Sequence, residues 1–326
     1  MRKKINLIMI LTMLIISVCG CGKSAGAVSS SGNIKMLLLL SSPDTFRTNL
    51  ANAAKSSAES NGMQLDILDS ENSIEIQVKQ VEQGVADGYD VILCIPVNTD
   101  TALQLEAAAG DVLIVFFNSC PDENYLEKGK YMYVGSNEEV AGAFQAEYIL
   151  DKFASKDEIN IAIFKGQNLH SATEGRTNSL KNTLNDSGKK INYVFSDNAD
   201  WATDKAKEMF TIFLKTGKQV DCVACNNDSM ALGIIASCKE NKIDTATLPI
   251  LGVDATAEGC QAIVDKDMVF TVFQPAEGQG KAVVEAGAAL ATGKSVSTIE
   301  GVTQDGKYVW VPFEAVDASN VKDYMK

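Results

Sequence analysis

The chain has 326 residues, of which 46% are hydrophobic, and a formal net charge of −13. Beyond the leader's Arg2, Lys3 and Lys4, 26 basic side chains face 42 acidic ones, a net −16 without any long basic run, which excludes nucleic acid as a partner. The roughly 300 residues after the leader suffice for two domains of about 150 residues each.

The basic start "MRKK" precedes "INLIMILTMLIISV", an apolar run of 14 residues, too short to span a bilayer and right for the core of an export signal. Small residues then lead to Cys21 in "VCGC". The pattern resembles a bacterial lipobox, in which the leader is cut before the cysteine and the thiol is lipidated; an ordinary signal peptide beside a structural cysteine is the alternative. A Gly/Ser-rich tether, "GKSAGAVSSSGN", follows and favours the anchored form. The expected layout is a signal over 1–20, a tether over 21–32 and a folded, extracytoplasmic body from residue 33.

From there short apolar runs alternate with amphipathic ones. "IKMLLLLS" reads as a strand, the stretch ending at Gly62 as a helix and "MQLDILDS" as a second strand. In "SIEIQVKQVEQGVADG" the residues Ile74, Val78, Val81 and Val85 fall on one helical face, with Asn72 and Glu75 as a capping pair. The strands "DVILCIP", "VLIVFF", "YMYVGS", "INIAIFKG", "INYVFS", "DCVAC", "LPILGVD" and "FTVFQ" continue the rhythm. Most are continuously apolar, as strands covered by helices on both faces must be. The fold class is α/β, and so many strands divide more economically into two doubly wound parallel sheets than into one. No helix-turn-helix segment or short-period repeat is present.

Six cysteines lie beyond the leader: Cys94, Cys120, Cys222, Cys225, Cys238 and Cys260. Export permits disulfides, but the spacing identifies none. "CVAC" suggests a redox or metal pair, yet in a strand positions three apart point to opposite faces, so buried structural thiols are the better reading.

Ligands of open parallel sheets bind beyond the carboxyl ends of the strands, so the residues following each strand are the candidates. They are Asp44 and Phe46, Asn98, His170 with Arg176, Trp201, Asn227 with Asp228, Asp254 and Gln274. Each has a plain structural explanation. Asp228, directly before "SMALGIIA", reads as a helix N-cap, and His170, the one histidine in the chain, reads by itself as a surface or hydrogen-bonded side chain. Taken together, two aromatics among amides, carboxylates, one arginine and one imidazole fit a ligand with flat apolar faces and a rim of hydroxyls. A pyranose is such a ligand.

The motifs "DTF", "IPVN", "VFFN", "FKGQNLHSATEGRT", "CNNDSMALG", "LGVDA" and "TVFQP", in this order, resemble the sugar-binding proteins of bacterial ABC importers, periplasmic binding proteins of the type I fold, and their glucose/galactose-binding branch above all. The resemblance covers nearly all of 33–326. It implies that Phe46 and Trp201 stack on the sugar, that Asp44, Asn98, Asn227 and Asp254 take hydroxyls, and that His170 and Arg176 donate to ring-side oxygens. Gln274 would complete the set. Two departures stand out: Ala172 where that branch has an aspartate reaching the anomeric end of the sugar, and Gln274 where it has an asparagine.

The resemblance further implies a monomer of two lobes, 33–138 plus 274–302 and 139–273 plus 303–326, joined by crossovers near 136–140, 272–276 and 301–305. A monosaccharide, glucose or galactose foremost, would be captured by hinge closure and passed to an ABC permease, or the closed form would be presented to a chemoreceptor or sensor kinase. No cofactor is implied. "DKFASKDEIN" lacks the spaced oxygen ligands of that branch's calcium loop, so no metal site is expected. A glycosidase would need paired catalytic carboxylates; Asp44 and Asp254 are available, but at positions that bind rather than catalyse in the look-alikes.

Overall fold

The computed structural model describes residues 33–325; the expected export signal, Cys21 and the expected tether lie outside the described residues. In chain order the first half supplies strands β1 (Lys35–Leu40), β2 (Gln64–Asp69), β3 (Val91–Cys94), β4 (Leu113–Phe117) and β5 (Tyr131–Gly135), interleaved with helices α1 (Thr45–Ser60), α2 (Ile74–Ala86) and α3 (Ala102–Ala109). The second half supplies β6 (Glu158–Lys165), β7 (Lys190–Asn198), β8 (Cys222–Cys225), β9 (Ile250–Leu251) and β10 (Phe270–Phe273). Its helices are α4 (Glu138–Lys152), α5 (Ser171–Asp186), α6 (Thr203–Leu214), α7 (Asp228–Glu240) and α8 (Ala257–Val264). Helix α9 (Ala276–Ala291) and strands β11 (Tyr308–Trp310) and β12 (Glu314–Asp317) follow.

The strands form two six-stranded sheets, ordered β11-β5-β4-β3-β1-β2 and β12-β10-β9-β8-β6-β7. All pairings are parallel except that of β12 with β10. Each sheet is buried on both faces. In β1, Met36 and Leu38 face one apolar core while Leu37 and Leu39 face another; in β6, Ile161 and Ile163 oppose Ala162 and Phe164 in the same way. Period-two alternation with apolar residues on both sides is what two helical layers demand.

The same alternation disposes of the CVAC pair. Cys222 lies in the core on one face of the second sheet and Cys225 in the core on the other. All six described cysteines are free thiols.

Three details differ from the sequence reading. Ser73, not Asn72, caps α2, its hydroxyl accepting from the Ile76 N–H, while Asn72 takes a left-handed conformation in the preceding turn. The inward face of α2 carries Gln77, Val81 and Gly84 rather than Val85, which is exposed. Gly84 is the reason: a Cβ there would stand 2.7 Å from Leu37 Cδ2, so the helix packs closest at that turn.

The third difference concerns the hinge. The chain leaves the first sheet after β5 and returns to it after β10, where α9 packs on α1. Residues 303–310 stay with the first lobe, because β11 pairs with β5 and Tyr308 and Trp310 pack edge-on against Tyr133. The last crossing therefore lies at 311–313 and not at 301–305. The apolar, aromatic stretch "YVW" completes the first sheet before the chain departs.

Candidate functional site

The carboxyl ends of both sheets' strands face one cavity of about 220 Å³ between the lobes. That is smaller than the ~300–1,000 Å³ typical of drug-sized ligands and suits a single hexose-sized ring. Eight of the nine residues that the resemblance assigns to the ligand line it: Asp44, Phe46, His170, Arg176, Trp201, Asn227, Asp254 and Gln274.

Each is placed by a local device. Asp44 caps α1, Oδ1 accepting from the Arg47 N–H, so its carboxylate sits at the helix mouth. Asn227 caps α7 by accepting from the Met230 N–H, which leaves its amide NH₂ for the cavity. Asp228, expected to be that cap, is instead fully buried and accepts from the Thr256 N–H and from the hydroxyls of Thr256 and Thr271, tying α7 to the loop after β9. His170 caps α5, Nδ1 accepting from the Ala172 N–H 3.2 Å away. This fixes the tautomer with the proton on Nε2, which is buried and has no hydrogen-bond partner within the protein.

Arg176 is only 3% exposed. Its Nε donates to Glu138 Oε2 at 2.6 Å, Nη1 to the Asn226 carbonyl at 2.6 Å and Nη2 to Gln274 Oε1 at 3.0 Å. Asp254 Oδ1 lies 3.5 Å from Nη1. Burial works against the guanidinium's charge, but Glu138 and Asp254 outweigh it and hold its pKa above the ordinary value. Asp254 is pushed well up by burial, with Arg176 opposing. Gln274, its oxygen engaged by Arg176, is left with an amide nitrogen that has no protein partner.

The place of Trp201 depends on a glycine. Trp201 stands edge-on to His170 with ring centroids 5.3 Å apart, and a Cβ on Gly166 would collide with its six-membered ring. Asn118, Trp201 and Asp254 all have positive φ, a strain of about 1–3 kcal/mol each that clusters where side chains must be aimed.

Asn98 is the exception. Its side chain accepts from the Asp100 N–H to cap a short 3₁₀ turn, and it faces a separate cleft at the rim with Asn72, Gln167, Asn168 and Asp200. Asn98 thus lies outside the cavity that the other eight line, in a neighbouring cleft where Asn72 and Asn98 of one lobe face Gln167, Asn168 and Asp200 of the other.

Of the cavity residues that were not among the sequence candidates, two carry polar groups that matter most, Arg47 and Asn118. Arg47, 5% exposed, donates through Nη1 to the carbonyl and hydroxyl of Ser42 and lies 3.5 Å from Asp44 Oδ2. A basic residue in a helix's first turn looks like a solvated one. Asn118 ends the quoted "VFFN" directly after β4, and its place after a strand was a usable signal. With Arg47 beside Asp44 and Arg176 beside Asp254, the wall carries two charges of each sign and favours neither an anion nor a cation. Among the described residues, no group of three or more His, Cys, Asp or Glu is arranged to hold a metal.

Residues 36–295 match the model of the periplasmic binding protein domain. The chain is 30% identical over 280 residues, 81% of this chain and 83% of the relative, to the D-galactose/methyl-galactoside binding periplasmic protein MglB of Haemophilus influenzae. It is 26% identical to the ribose import binding protein RbsB of Bacillus subtilis, over 91% of this chain and 95% of the relative. Among solved structures, an ABC transporter solute binding protein from Bacillus halodurans with bound myo-inositol superposes with a TM-score of 0.81 at 27% identity, covering 91% of this chain and 98% of that one.

Two outcomes follow from this geometry. Burial, with Arg47 and Arg176 adding, pushes the His170 imidazole down to about 3, so ¹⁵N NMR of this lone histidine should show the neutral Nε2–H form throughout pH 8 to 5. Since an unfolded imidazole titrates near ~6.5, the same group should withdraw stability as pH falls from about 6.5 toward 3. Second, Gly166→Ala should displace the Trp201 plate and weaken sugar binding at least about tenfold while the circular dichroism of the fold is kept; unchanged affinity by calorimetry would show that the plate is not used.

Proposed function

The chain belongs to the periplasmic binding proteins, it is a sugar-binding protein of the ABC-transporter type and not an enzyme, and from that premise we propose that it captures one neutral hexose-sized sugar, galactose or glucose foremost, by closing its two lobes. Lipidated Cys21 would hold it outside the cell membrane, as a monomer that delivers the sugar to an ABC permease.

The observation that carries the ligand class is the set of buried donors without protein partners, His170 Nε2, Trp201 Nε1 and Gln274 Nε2, facing the carboxylates of Asp44 and Asp254 in one charge-balanced cavity. Such donors and acceptors match hydroxyls, which do both, and two aromatic rings supply faces for the apolar C–H surfaces. The homologous binder of galactose and methyl-galactoside supports a hexopyranose, and the myo-inositol-bound structure supports a six-membered polyol ring.

Ala172 bears on which sugar is preferred. It is 3% exposed on the cavity wall, in the first turn of α5, where the look-alikes present a carboxylate to the anomeric hydroxyl. A methyl group accepts nothing, so that end of the ring should tolerate substitution. Calorimetry with glucose, galactose, methyl galactoside and myo-inositol tests both the class and this preference. Ala172→Asp, whose charge the N-terminus of α5 favours, should tighten the free aldohexoses by one charge-assisted bond, about tenfold or more in Kd, but not the methyl glycoside. No binding of any of the four by the wild type would sink the ligand class; equal gains for free and methylated sugars would sink the assignment of Ala172.

The anchor rests on "VCGC" and the tether that follows. Cys21→Ser should abolish incorporation of labelled fatty acid and release the protein from the membrane fraction. Retained label would refute it.

A further inference from the structure

Arg176 does more than line the cavity. The three segments that cross between the lobes each place one residue on its guanidinium. Glu138 opens α4 directly after the chain leaves the first sheet, and it accepts from Nε. Gln274 ends the run after β10 before the chain returns, and it accepts from Nη2. Phe313 lies in the last crossing between β11 and β12, its ring centroid 5.8 Å from Cζ. All three are more than nine-tenths buried. The backbone of Arg176 is held in place as well: a Cβ on Gly175 would stand 2.7 Å from Glu138 Cβ, so α5 and α4 meet without a side chain between them. On the first-lobe side the crossings are tied separately, Gln279 Nε2 donating to Ser136 Oγ at 2.9 Å and Val311 packing where Gly278 has no side chain.

A guanidinium has five N–H groups in a rigid plane. Here three go to Glu138, Asn226 and Gln274, leaving one on each Nη for Asp254 and for a molecule in the cavity. A planar ion cannot tilt toward a ligand without tilting the bonds to the crossings. We propose that Arg176 fastens the hinge as well as contacting the ligand, so that occupancy of the cavity and the angle between the lobes are coupled through this one guanidinium. Glu138 and Phe313, on the far side from the cavity, are then positioning residues that act on binding only through Arg176. This coupling is independent of the choice of sugar and acts on the protein without ligand as much as with it.

The test is the open–closed distribution of the ligand-free protein, read by single-molecule energy transfer between dyes on exposed Glu82 of the first lobe and Lys218 of the second. Glu138→Gln keeps the shape and removes the charge; Phe313→Leu keeps an apolar side chain and removes the ring. Each should change the ligand-free closed-to-open ratio about threefold or more and change sugar affinity in the matching direction. Glu139→Gln, which removes a charge from the exposed neighbour of Glu138 in the same helical turn, should leave the ligand-free ratio unchanged. The proposal is overturned if Glu138→Gln and Phe313→Leu leave that ratio at the wild-type value, whatever they do to affinity, or if Glu139→Gln moves it as far. A wild type that binds no sugar would count against the functional reading alone, since the ligand-free comparison needs none.

Discussion

Everything at the centre of this molecule depends on one buried positive charge. Taking a guanidinium out of water costs several kcal/mol unless partners replace the lost hydration, and a partner lost from such a pair costs about 3–5 kcal/mol. Arg176 has Glu138, Asp254, the Asn226 carbonyl and Gln274 around it, with the rings of Trp201 and Phe313 on its flanks at 5.9 and 5.8 Å. These partners come from the start of α4, the loops after β8 and β9, the end of β10 and the last crossing. The charge is satisfied only if the second half of the chain has folded and the three crossings are in place around it. A buried ion pair is weak evidence for stability, but it is a strong geometric requirement, and here the requirement is met at the point where the lobes join.

The fold was largely legible because its signal is repeated. A strand buried on both faces has to be apolar throughout, and "IKMLLLLS", "VLIVFF" and "INIAIFKG" cannot be read otherwise. What failed was local. Asn72 and Ser73 are both good caps, and only the left-handed turn at 71–72 decides between them. The third crossing was misplaced because β11 is three residues long, too short for periodicity to assign it to either sheet.

The site was legible to the extent that it follows strand ends. Asp44, His170, Asn227, Asp254 and Gln274 each come directly after a strand or open a helix, and that rule finds them without a structure. It also admits Asn98, which obeys the rule and misses the cavity. It omits Arg47, whose guanidinium folds back onto Ser42 and Asp44, and Glu138, whose carboxylate in a first helical turn has an ordinary explanation in the helix dipole. The role of Glu138 is fixed by Arg176, 38 residues further along the chain, and nothing within its own stretch reveals it.

The same partnerless groups that suggest a ligand also explain why closure should need one. A buried donor or acceptor without a partner costs about 1–3 kcal/mol, and the cavity wall contributes His170 Nε2, Trp201 Nε1 and Gln274 Nε2 to that penalty, beside an Asp254 whose carboxyl burial pushes well up. With the lobes apart these groups meet solvent and the penalty falls. With the lobes together only a molecule that bonds them can remove it. The penalty belongs to the closed arrangement alone, so a polyhydroxylated ring that cancels it has, by construction, a higher affinity for the closed state than for the open one. That difference is the only quantity by which a ligand can move a conformational equilibrium. The cross-lobe bond from the Cys120 N–H to Ser171 Oγ, 2.9 Å long and away from the cavity wall, adds a small ligand-independent bias in the same direction. One neutral hydrogen bond is worth about 0.5–1.5 kcal/mol, less than the combined cost of the unpaired groups. The balance therefore lies with the ligand.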